Sequence, residues 1–148
     1  MTADPPGGIT FRGRGYAHRW SDGHRHDFTP AGQDDRSAWR DMVTLQAHPA
    51  VRDRAGMANL ANTVLGNYQR VGAVVLATDR TPEYFACVAF RGADFVEIAF
   101  SRFTLVRDEG RVVTYAHRIH GDDDAVRVWL DGNAPAVHEE LMSWAVPW

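Results

Sequence analysis

The chain contains no lysine: all 16 of its basic residues are arginine. Without an ε-amine there is no Schiff-base nucleophile, no phosphate-cradling P-loop lysine and no kinase-type lysine. The plainest account of the bias is a GC-rich bacterial coding composition. The functional account is recognition of carboxylate or phosphate, which a planar guanidinium fork does and an ammonium does not. Cysteine is almost as scarce. Cys87 is alone, which excludes an intrachain disulfide and a multi-cysteine zinc site. It lies in the run Tyr84-Phe85-Ala86-Cys87-Val88-Ala89-Phe90. That run is apolar on both faces, the setting of a buried small hydrophobe and not of an exposed, electropositive reactive thiol.

Long apolar runs are missing too. None approaches the ~20 residues that cross a bilayer. Residues 1–8 have neither the basic nor the apolar region of a signal peptide and read as a flexible lead. As written the chain reads as cytoplasmic; a periplasmic or secreted protein whose signal peptide had been removed would read the same way. The glycine-rich dinucleotide fingerprint, the P-loop and the serine nucleophile elbow are all absent. A formal charge of −3 argues against a nucleic-acid partner, which needs clustered positive charge.

What is present fits one domain. A chain of 148 residues with 45% hydrophobic and 24% charged residues buries an ordinary core without staples. Alternating apolar positions predict strands over 9–20, 24–29 and 42–47, with a bulge or bend at Gly13 and Gly15. Met57, Leu60, Ala61, Val64, Leu65, Tyr68 and Val71 recur at spacings of three and four, so 53–71 is a helix that Gly72 ends. Strands follow over 73–77, 84–90, 95–106 and 112–119; the first of these is apolar on both faces and is expected at the centre of the sheet. A short helix over 125–130, a break at Asp131-Gly132-Asn133 and a last helix bearing Val137, Leu141 and Trp144 complete the chain.

The expectation is a single α+β domain over 9–148. It has an antiparallel sheet of about six to seven strands, one long central helix and a C-terminal helix or helix pair packed on it. The order of the strand at 42–47, the helix at 53–71 and the four strands from 73 to 119 resembles that of the PsbP/Mog1-like proteins. The resemblance covers most of the chain as element order and carries no signature motif. It implies a fold of accessory and binding proteins, by analogy alone.

Three groups of side chains suggest chemistry. His24 and His26, two apart on a strand, face the same way and suit two ligands of a divalent metal, with Asp27 as a third group or as the partner of a ring. Tyr115 and His117 share the apolar face of the last strand. There His117 is either a hydrogen-bonded core residue or a general base with Tyr115 as polariser. Arg102 falls in phase with Val96, Ile98 and Phe100, and Arg118 opposes His117 along its strand; if the two arginines lined one cleft they would clamp an anion. His120 closes the last strand, and Trp20, if exposed, would offer a ligand or partner surface.

No cofactor is implied beyond that metal. The leading functional expectation is a non-enzymatic binding or accessory protein for a small molecule or protein partner. The alternatives are a small enzyme working by His/Asp acid–base or metal-assisted chemistry, and a homo-oligomeric assembly protein, a homodimer in the simplest case, joined by an edge strand or by Trp20 and Trp148.

Overall fold

A computed structural model describes residues 6–148. Eight strands and two helices follow the chain as β1 (Gly8–Phe11), β2 (Arg14–Asp22), β3 (Arg25–Pro30), β4 (Asp41–His48), α1 (Arg54–Arg70), β5 (Val74–Asp79), β6 (Tyr84–Arg91), β7 (Val96–Val106), β8 (Glu109–Ile119) and α2 (Asp123–Ser143). The strands form one antiparallel sheet in the order β1-β2-β3-β4-β8-β7-β6-β5. The α+β class is as expected, with eight strands where six to seven were anticipated.

The extra strand comes from the first segment. Arg12 and Gly13 both take positive φ, 54° and 73°, and fold 9–20 into a tight hairpin instead of a bent single strand. The bulge lies further on, between His18 and Trp20. Of the expected lead, residues 1–5 lie outside the described residues. Gly8 already belongs to β1, and the Gly7 carbonyl accepts a hydrogen bond from the His18 amide at 3.1 Å.

The helix at 53–71 forms as its periodicity predicts. Asp53 caps it through a bond from the Gly56 amide, and Gly72, at φ 86°, takes the chain out of it. The C-terminal segment departs from expectation, because α2 runs unbroken through Asp131-Gly132-Asn133 and carries Pro135 inside it.

Strand β5 is not central. It is the outermost strand, with Val74 62% and Leu76 43% exposed. The β5–β8 meander can join β4 through either of its ends. It joins through β8, whose register with β4 runs from Asp41↔His117 to His48↔Gly110.

Cross-strand register sorts the side chains onto two faces, since directly opposed residues share a face. Ile98↔His117, Phe100↔Tyr115 and Arg102↔Val113 lie on the side where α2 buries Val137 and Leu141 against Phe85, Phe100 and Val113. Glu97↔Arg118, Ser101↔Thr114 and Phe103↔Val112 lie on the other side, where α1 buries Met57 and Ala61 against Ala86 and Phe103. Each helix thus covers one face of the sheet. Phe11 of β1 reaches Trp144 at a ring-centroid distance of 4.9 Å, which draws the first hairpin over the C-terminal end of α2.

Candidate functional site

Asp41, the first residue of β4, is in phase with Val43 and Leu45 and therefore points into the α2 face. The residue is buried, 7% exposed, and its carboxylate collects four donors. Tyr115 Oη–H donates to Oδ1 at 2.7 Å, and His117 Nδ1 lies 2.8 Å from the same oxygen. Arg14 Nη1 and Gln33 Nε2 donate to Oδ2 at 3.1 and 3.2 Å. Burial works to raise the Asp41 pKa, but the hydrogen bonds from His117, Tyr115 and Gln33 outweigh it and hold the carboxyl well below the usual range. Tyr16 is pushed the other way, to about 12, by burial and then by the Asp41 charge. The same two causes raise Tyr115. The His117 ring stacks on Trp129 of α2 at 4.4 Å and 10°. Tyr115 and His117 therefore meet, as proposed from their shared face, but around a carboxylate that satisfies them. The sequence signal for Asp41 was its phase on β4, opposite two polar residues in the same phase on β8.

The two arginines do not meet. Arg102 lies on the α2 face, 15% exposed at its side chain. Its Nε and Nη2 donate to Glu83 Oε1 at 3.0 and 2.8 Å, while Nη1 donates to the Leu141 and Trp144 carbonyls at 3.2 and 2.9 Å. It caps the negative end of α2. Arg118 lies on the α1 face, where it donates from Nε to Glu97 Oε1 at 3.0 Å and has Trp39 and Phe95 rings 3.7 and 4.3 Å from its guanidinium carbon. Burial raises the Glu97 pKa, with Arg118 opposing. A shared anion cleft between Arg102 and Arg118 does not form, because their positions on paired strands alternate to opposite sides of the sheet. His120 stands beyond the end of β8, 3.8 Å from Asp94 and beside Phe95. Trp20 packs beside Trp39 on the α1 face with Arg36 over its ring at 5.8 Å.

Of the histidine pair only His26 stands on a strand. His24 occupies the β2–β3 turn. Asp27 points to the α1 face, 4% exposed, accepting from Arg25 Nε at 3.1 Å and from Thr44 Oγ1 at 2.7 Å. His26 points to the other face, as neighbours along a strand must. Its Nδ1 lies 2.8 Å from Ser21 Oγ, and His18 Nε2 lies 2.9 Å from the same oxygen. Among the described residues no three His, Cys, Asp or Glu side chains converge to hold a metal. The sequence pointed to His24 as the companion of His26; the fold supplies His18.

Two concavities among the described residues stand out. One, of about 650 Å³, lies between the β1–β2 hairpin and the segment after α2, with walls that include Gly8, Gly15, Tyr16, Arg19, Trp144 and Pro147. A smaller one, of about 180 Å³, lies between α1 and β5–β6. Arg19 is held in place by bonds to Thr29 Oγ1 and the Pro30 carbonyl at 3.0 and 3.1 Å. Neither His117 nor Tyr115 lines either space. Among the described residues no helix is long and apolar enough to cross a membrane. No protein-family model matches the chain, and no curated protein is significantly similar to it in sequence.

Proposed function

We propose that this is a non-enzymatic binding or accessory protein that holds a small organic molecule in the groove between the β1–β2 hairpin and residues 144–147. The observation that carries the reading is the groove itself. Its volume falls in the ~300–1,000 Å³ range of small-molecule sites. Its wall combines two aromatic side chains, a positioned guanidinium and exposed glycine backbone, which lets a ligand approach main-chain amides closely. The resemblance in element order to the PsbP/Mog1-like proteins points the same way, by analogy only.

The acid–base alternative has less behind it. Tyr115 Oη and His117 Nδ1 are engaged with Asp41, and neither residue lines the two concavities described above.

Gly15 lines the groove and gives a test. A Cβ there meets nothing within 4 Å, and its backbone is outside the left-handed region, so Gly15→Leu adds bulk at the groove wall without backbone strain. Native mass spectrometry of the purified chain should show a retained mass of several hundred daltons, lost in Gly15→Leu while the melting temperature is kept. A wild-type chain that carries nothing, and whose tryptophan fluorescence no fraction of a cell extract changes, would sink the reading.

A second reading, a homodimer, is favoured by one observation. Edge strand β5 exposes Val74 and Leu76 next to Val71, which is 73% exposed. Such an edge pairs readily with a second strand.

A further inference from the structure

We infer that the β2–β3 ribbon carries an open two-nitrogen site for a late first-row divalent metal, with Cu²⁺ the preferred ion, built from His18 and His26 with Ser21 between them. The bulge between His18 and Trp20 makes this possible. Residues three apart on a regular strand face opposite ways. The extra residue restores the phase, so His18 and Ser21 emerge on the same side, next to His26, which is directly opposed to Ser21.

The geometry suits chelation. Two imidazoles bound at about 2.0–2.1 Å place their ring centroids roughly 4.5–5 Å apart, from the cis angle of a tetragonal Cu²⁺ shell to a tetrahedral angle. The His18 and His26 centroids are 5.4 Å apart, at 55° between planes. One nitrogen of each ring already aims at a single point, the Ser21 oxygen. That hydroxyl has one proton and can donate to only one of them. A cation taking that point, with the Ser21 hydroxyl turned aside, would receive a lone pair from both, with water completing the shell. The His18 ring is braced from behind by the edge of Phe28 at 5.2 Å, which limits the reorganisation that binding requires.

Two ring nitrogens with open remaining positions do not make a closed structural zinc site. They suit an exchangeable ion, and for nitrogen ligands the affinity order among divalent ions peaks at Cu²⁺.

The test uses the full chain stripped of metal and titrated with CuSO₄, read by isothermal calorimetry and by electron paramagnetic resonance. One Cu²⁺ per chain is expected, with hyperfine coupling to two nitrogens. His18→Gln and His26→Gln should each reduce the coupling to one nitrogen. Each should also weaken binding beyond the about 10–100-fold that loss of an outer-shell partner costs. His138→Gln, on α2, should change neither. The nitrogen count separates loss of a ligand from loss of folding, which the melting curve without metal reports. Absence of stoichiometric binding, or an unchanged spectrum in the His18→Gln/His26→Gln double variant, would overturn the inference.

Discussion

Asp41 ties together three strands and a loop with one carboxylate. Tyr115 and His117 hold it from β8, Arg14 from β2 and Gln33 from the connection before β4. A hydrogen bond to a charged acceptor contributes about 1.5–3 kcal/mol. Tyr115→Phe keeps the ring and removes one such bond. It should lower unfolding free energy by about that amount in urea titration, with an unchanged m-value. A cost near zero would mean that the remaining donors close over the gap. His48 presents a different case: its Nε2 is buried without a partner. Burial, and then the neighbouring His24, lower its pKa from 6.5. Across the interval below pH 6.5 the unfolded chain therefore binds more protons than the folded one, so stability is full above 6.5 and is lost as pH falls through the folded value. His48→Gln should flatten that part of the pH–stability curve; His26, shifted the same way, leaves a residual slope.

Among the elements, α1 was legible and α2 only half so. The three-four periodicity, Asp53 and Gly72 act locally, and they fix α1 without reference to the rest of the chain. In α2 the local signals favour a break. Asp131-Gly132-Asn133 is turn chemistry, and Pro135 removes the partner of the Asp131 carbonyl. The helix persists because both halves are anchored. Trp129 and Leu130 before the suspected break, and Val137 and Leu141 after it, pack into one core. That burial outweighs the ~1 kcal/mol that glycine and the ~3 kcal/mol that proline cost inside a helix. Gly132 has room for a Cβ and no positive φ. Gly132→Ala should therefore stabilise the protein by about 0.5–1 kcal/mol, seen as a raised midpoint in denaturant. A loss of stability would show that the helix needs the freedom of glycine there.

At the scale of the whole molecule, the sheet has two very different ends. One is the short β1 hairpin drawn toward Trp144 by Phe11; the other is β5, with no acidic or basic residue before Asp79 and two exposed apolar side chains. A charged residue on an edge strand suppresses pairing with another chain. If the β5 edge joins two copies, light scattering behind size exclusion should give about twice 16.5 kDa for the wild type and 16.5 kDa for Leu76→Lys. A wild-type mass of 16.5 kDa at every concentration would remove the dimer.

The α+β class, the helix at α1, most strand positions, the burial of Cys87 and the shared face of Tyr115 and His117 are readable from the amino-acid order alone. All of these follow from alternation and helical period, which a few neighbouring residues specify. The folded chain adds that Asp41 joins Tyr115 and His117, that Arg102 and Arg118 stand on opposite faces, that β5 is an edge and that His26 meets His18. None of these is set by local pattern. Partners 70 or more residues apart, as Asp41 and Tyr115 are, depend on strand order and register, and a one-residue bulge exchanges the two faces of a strand beyond it.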